Sequence, residues 1–123
     1  MTEKILAFIN KKLTDAGINY EFREWTGEIA YPYFVGEYAE TSPVNENGQH
    51  EATFTLDGFT RGEWLELEKA KSKIEKIFYY NTSILDDGSG VDVSYSGSLV
   101  VPTGDAELKR IQINLSIKEW RTV

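Results

Sequence analysis

The sequence predicts a two-layer α+β domain in the order α-β-β-β-α-β-β, with both helices packed on one face of a mainly antiparallel sheet. Three observations carry this. Residues 2–16 and 60–80 repeat apolar side chains at three- and four-residue spacing, as an amphipathic helix does. The remaining runs alternate apolar and polar, as half-buried strands do. Clusters of Gly, Pro, Asn and Asp punctuate them. Helices with one apolar stripe and strands with one apolar face bury both by stacking as two layers. At 123 residues the chain has the size of a single domain, 1–123, able to hold a core without cross-links. No internal repeat or linker is visible in it.

In the first helix, Ile5, Phe8, Ile9, Leu13 and Ala16 form the stripe, Thr2 is placed to cap the start, and Gly17 suits the left-handed residue that ends a helix. Ile18–Trp25 then alternates, and Thr26-Gly27-Glu28 stops it. The strand Ile29–Thr41 carries Pro32, which gives no N–H to a ladder and favours a sheet edge or a strand start. A polar loop follows at Ser42–Gln49. Residues 50–58 set Ala52, Phe54 and Leu56 against Glu51, Thr53, Thr55 and Asp57.

For the second helix, Thr60 and Glu63 have capping-box spacing, and Phe59 and Trp64 stand at hydrophobic-staple positions. Leu67, Ala70, Ile74, Ile77 and Phe78 make its stripe, ending near Tyr80 or Asn81. The turn 86–90 leads to a strand with Val91, Val93, Tyr95, Leu99 and Val101 expected on one face. After a loop at 102–105, the last strand sets Ile111, Ile113, Leu115 and Ile117 against Gln112, Asn114, Ser116 and Lys118.

Several function classes find no support. A net charge of −7 disfavours generic nucleic-acid binding. The helix–three strands–helix order matches the double-stranded-RNA-binding domain, but the second helix here opens Arg-Gly-Glu-Trp-Leu-Glu and strands follow it. There is no cysteine, and His50 is the lone histidine, so no thiol or transition-metal site is expected. DDGSGVD lacks the spacing of an EF-hand, and Gly58–Gly62 lacks the GK[ST] of a P-loop. No nucleophile, cofactor motif or membrane span is read, and the N-terminus is too charged for a signal peptide. The expectation is a non-enzyme without cofactor or metal, made in the cytoplasm.

One strand departs from the binary pattern. Whichever way Ile29–Thr41 faces, bulky residues lie on both sides: Phe34 and Tyr38 on one, Tyr31, Tyr33 and Val35 on the other. Clustered tyrosines opposite a core are typical of interfaces, so these five residues are expected to meet another subunit. Folding of the N-terminal strand or of a loop over them is the alternative. Lys69, Lys73 and Lys76 share one face of the second helix and suit a subunit contact or a lumen-facing stripe; a simple solvated face is the plainer reading.

The short N-terminal helix, the aromatic YPYFVGEY strand, the polar loop, the alternating HEATFTLDGF strand, the capped helix and the final hairpin together resemble the small tail-completion proteins of long-tailed bacteriophages and prophages. These are the tail-terminator and head–tail joining proteins. The resemblance covers most of the chain in element order and implies an α+β subunit of a hexameric ring in the virion tail. Its implied partners are copies of itself, the tail-tube protein and the head–tail connector proteins, with no catalytic residues. A small acidic protein-binding module or adaptor, engaging a basic partner, is the other reading.

Overall fold

A computed structural model describes residues 2–40, 49–79, 81–85 and 88–120. These hold two helices, α1 (Glu3–Asp15) and α2 (Trp64–Ile77), and six strands. The strands are β1 (Tyr20–Phe22), β2 (Tyr33–Glu40), β3 (Gln49–Thr60), β4 (Asn81–Ile84), β5 (Gly90–Val101) and β6 (Lys109–Trp120). They form one sheet in the order β1-β2-β3-β6-β5-β4. Every neighbouring pair is antiparallel except β1 and β2, which run parallel. The two-layer α+β class, with its mainly antiparallel sheet, is thus observed. The polar loop through residue 48, Tyr80 and the Asp86-Asp87 turn lie outside the described residues.

The helix stripes face the sheet as the periodicity requires. Ile5, Ile9 and Leu13 of α1 and Leu67, Ala70 and Ile74 of α2 are buried. They meet Phe34, Phe54, Leu56, Val91, Val93 and the inward residues of β6, from Ile111 to Ile117, in one cluster. Burying each large apolar side chain contributes about 1.5–3 kcal/mol. α1 ends as expected. Gly17 takes φ 79°, its N–H bonds the Thr14 carbonyl, and the Ile18 N–H reaches back to Leu13. This paired closure is a Schellman motif, and its Ile18 and Leu13 are both buried.

α2 begins differently from the expectation. β3 continues through Thr60, which is a core-facing strand residue and fully buried. The N-cap is Glu63, without a side-chain cap bond. Thr60 instead accepts the Gly62 N–H at 3.1 Å and donates to Glu66 at 2.8 Å, tying the helix's first turn to the end of the strand. The Phe59–Trp64 staple is also overturned, because Phe59 points to the other sheet face and stacks on Tyr33. α2 stops at Ile77, short of Tyr80, where buried Phe78 turns into the core and Asn81 donates to the Ile77 carbonyl at 3.0 Å.

Three strand expectations change as well. β1 is only three residues long, since Arg23 adopts φ 70° and leaves the extended conformation. β4 was not expected, and Ile84 is its single large apolar residue. β5 changes face midway. A bulge between Tyr95 and Gly97 adds one residue, so Val91, Val93 and Tyr95 face the helices while Leu99 and Val101 lie on the opposite face, beside Gln112 and Arg110.

The element order repeats even though the sequence does not. Helix, short edge strand and long hairpin occur twice. Glu3 and Trp64, the first residues of the helices, are 61 positions apart, and so are Tyr20 and Asn81, which begin β1 and β4. The sheet order reads outward symmetrically from β3 and β6. Leu13 and Ile74, Ile9 and Ala70, and Phe54 and Leu115 are equivalent under this spacing, and all are buried. The correspondence breaks where β1 is parallel to its neighbour and β4 antiparallel.

Two glycines let β1, β2 and β3 interlock. Phe34 stands opposite Gly58, and Gly36 opposite Leu56. A Cβ on Gly58 would enter the Phe34 ring, 2.7 Å from Cζ. A Cβ on Gly36 would lie 2.7 Å from Phe54 Cε1 and from Tyr20 Cε1. Each ring therefore rests on a bare backbone. Gly36→Ala and Gly58→Ala are each expected to destabilise the fold by about 3 kcal/mol, read as a lowered urea midpoint. Adding Phe34→Leu to Gly58→Ala is expected to cost less than the two single changes together, because it vacates the space the new methyl needs.

Tyr20 gives a pH test of the same region. Burial raises its hydroxyl well above the ordinary tyrosine range. Below pH ~10 the phenol is neutral folded and unfolded, so pH leaves its contribution unchanged. Above that, the unfolded chain ionises first and unfolding gains. Stability relative to Tyr20→Phe should therefore be flat below pH ~10 and fall as pH rises beyond it. Denaturant titrations of both proteins across that range check this.

Candidate assembly surface

Both helices cover one face of the sheet, and among the described residues no element covers the other. Successive rows of that open face follow from the register. At one end Tyr33, Phe59, Arg110 and Val101 stand side by side across β2, β3, β6 and β5. Next come Val35, Asp57, Gln112 and Leu99. The middle is polar, with Thr55 donating to Asn114 at 3.1 Å. At the far end Trp120 lies beside Gly90, and Gly90 beside Ile84. Phe59 and Trp120, also 61 positions apart, hold equivalent places at opposite ends.

The aromatic corner is built by the segment between β1 and β2. Asn19 donates its side-chain amide to the carbonyls of Pro32 (3.2 Å) and Ala30 (3.4 Å), and its own carbonyl accepts the Phe34 N–H. Glu21 accepts from the Thr26 hydroxyl at 2.7 Å, and the Trp25 indole donates to the Glu28 carbonyl. The Tyr31–Pro32 peptide is cis. So held, Trp25 packs 5.0 Å from Tyr33, and Tyr31 lies 5.7 Å from it on another side. Tyr33 stacks on Phe59 at 5.2 Å, and the Arg110 guanidinium sits over Phe59. Two nitrogens of Arg110 bond one oxygen of Asp57, at 2.8 and 3.1 Å.

The electrostatics follow from this packing. Burial first, then the neighbouring Tyr31 hydroxyl, raises the Tyr33 pKa, against a smaller opposing effect of Arg61. Arg61 pairs with Asp105 at 3.1 Å, and the neighbouring Tyr31 hydroxyl first, then this carboxylate, hold its charge more firmly. The Glu107 N–H, then Arg61, lowers the Asp105 carboxyl. Aromatics flanked by arginines are the composition of a binding hot spot. Ile29 and Tyr31, Trp64 and Leu65, and Leu99 and Val100 are all exposed at this same end.

The eight residues expected to meet a partner do not share one surface. Tyr31, Tyr33 and Val35 lie at the open-face corner, where Trp25 packs on Tyr33. Phe34 is 1% exposed and belongs to the core, so its expected interface role is overturned: it is the ring that rests on Gly58. Tyr38 is half-buried on the helix side, stacked 6.0 Å from Phe22. Lys69 and Lys73 border a cleft with Asn19 and Pro32, and Lys76 is exposed further along α2. Trp25, Phe59, Arg61, Arg110 and Trp120 were missed. Phe59, Arg110 and Trp120 each had a signal, as bulky residues in the polar parity of β3 and β6. His50 lies opposite Glu119 in the ladder, and no group of acidic or histidine side chains among the described residues could hold a metal.

No family model matches the sequence, and no curated protein matches it. Solved structures do share the fold. One, whose name carries no function, superposes with a TM-score of 0.73 at 14% identity over 98% of this chain and 96% of its own. A chain of the virion of a native gene transfer agent (GTA) particle superposes with a TM-score of 0.62 at 13% identity, covering 88% of this chain and 83% of that one. At these identities the likeness is one of fold.

Proposed function

We propose that this protein is a structural subunit of a phage-like virion that caps the tail tube as a ring and joins it to the head. The observation that carries the reading is the open sheet face, with an aromatic and arginine corner at one end and Trp120 and Ile84 at the other. A monomer seldom leaves such patches uncovered, and a ring that caps a tube on one rim and meets the head on the other needs a different surface at each end of its subunit. The shared fold with a chain of a gene transfer agent virion supports a virion role. The proposed partners are further copies in a hexamer, the tail-tube protein and the head–tail connector. The role is architectural and asks for no reacting group.

Tyr31 is 39% exposed, and Tyr31→Ser is expected to change stability by no more than about 0.5 kcal/mol while abolishing ring formation on tail tubes. Tyr38→Ser, which loses the Phe22 stack, is expected to cost about 1–2 kcal/mol instead. Native mass measurement and electron microscopy with purified tail-tube protein check both. A protein that stays monomeric at high concentration, with and without tube protein, sinks the proposal.

A further inference from the structure

The two ends of the sheet are notched. β4 pairs only with Gly90–Val93 of β5, and β1 only with Phe34–Gly36 of β2. Among the described residues no strand pairs with the outer edge of Ser96–Val101, nor with that of Glu37–Ala39. Apart from the bulge at its start, the β5 notch carries no device that blunts such an edge. Ser94–Val101 holds no charged residue, and Leu99 and Val100 are 50% and 55% exposed.

We infer that the β5 edge of one copy pairs antiparallel with the β2 edge of the next, Leu99–Val101 lying against Glu37–Ala39. This rests on the ring reading and names its lateral joint. Direction agrees: three antiparallel steps separate β2 from β5, so similarly oriented copies present them antiparallel. Hydrogen bonding agrees too. Phe34 N–H and Gly36 C=O of β2 already point outward, to Asn19 and Arg23, so by alternation Tyr38 is the next residue to face outward. On β5 the Tyr95 N–H points outward to Phe78, and the bulge moves the outward set to Ser98 and Val100.

Pairing Tyr38 with Val100 exchanges both bonds and keeps the two helix-side faces continuous. It sets Leu99 against Ala39 and Val101 against Glu37. Glu37 then lies two strand spacings, about 10 Å, from Arg110, the inner neighbour of Val101, so the charges are complementary. The chain leaves β5 at Pro102, level with the place where β1 occupies the next copy's edge.

The chain has no cysteine, so a pair can be introduced cleanly. Ala39 and Leu99 form a non-hydrogen-bonded pair in this register, where side chains approach most closely. Under mild oxidation at high concentration, Ala39→Cys/Leu99→Cys is expected to give a reducible ladder of covalent multimers, and neither single variant a ladder. Val100→Pro removes the outward N–H without a bond inside the subunit, and should weaken association at least tenfold while leaving the monomer's circular dichroism unchanged. Rings in native mass spectra with no ladder overturn this joint and leave the ring reading standing. Covalent dimers from Leu99→Cys alone overturn it in favour of β5 self-pairing. A ladder of open chains upholds the joint and overturns the ring; absence of any assembly overturns both.

Discussion

The pairing of β3 with β6 is the constraint on which the rest of the molecule depends. It runs for twelve residues on each strand, from Gln49 against Trp120 to Thr60 against Lys109, and joins the two halves of the chain. Its inward residues, Phe54, Leu56, Ile111, Ile113, Leu115 and Ile117, form the floor of the core. A slip of β6 by one residue against β3 would turn its four isoleucine and leucine side chains to the open face. Register here is held by burial on one side and, on the other, by the Thr55–Asn114 bond and the Asp57–Arg110 pair. The polar middle of the open face thus has a structural task, independent of any partner.

From that ladder outward, packing becomes less regular and more dependent on single residues. The β2–β3 side closes by setting rings on glycines, which brings backbone and aromatic face together without a void. The β5–β6 side closes with a bulge, which sends the end of β5 across to the open face. The β1–β2 side closes with the Asn19 and Glu21 bonds, which hold a return segment long enough for a parallel pairing. Each device also shapes the surface. The glycine at 58 seats Phe34 inward and leaves Phe59 outward, the bulge exposes Leu99, and the return segment delivers Trp25 to Tyr33.

The parts legible in the sequence are those governed by periodicity. The helix stripes, the alternation of β3 and β6, the closure at Gly17 and the two-layer class all follow from spacing. What was illegible depends on contacts distant in sequence. Thr60-Arg-Gly-Glu reads as a capping box only if the strand has ended, and the pull of the core on Thr60 keeps it extended. A bulge adds one residue without changing composition, so the faces of Leu99 and Val101 could not be read. β4 is held by its neighbour's backbone rather than by an apolar pattern. Of the surface, the excess of aromatics in β2 was visible, but not which parity faces out, so Phe34 was grouped with residues it does not join.

The repeated element order explains why the sheet is notched diagonally. In both halves a short strand follows the helix and covers only the start of the hairpin's first strand. Because the halves run in opposite directions across β3 and β6, the uncovered stretches fall at opposite ends. A joint between them offsets neighbours by four residues, from Tyr33 to Glu37 opposite Val101, or about 13 Å along the strands. In the proposed ring such a stagger closes only if the strands tilt from the ring axis, as they do in a barrel. Strand ends then lie on the two rims. One rim carries Trp25, Tyr31, Phe59 and two arginines, the other Trp120 and Ile84. A subunit built from two alike halves would give a ring with two alike rims. In the proposed ring, the divergence of side chains at equivalent positions, Phe59 against Trp120 above all, would give the two rims different binding surfaces.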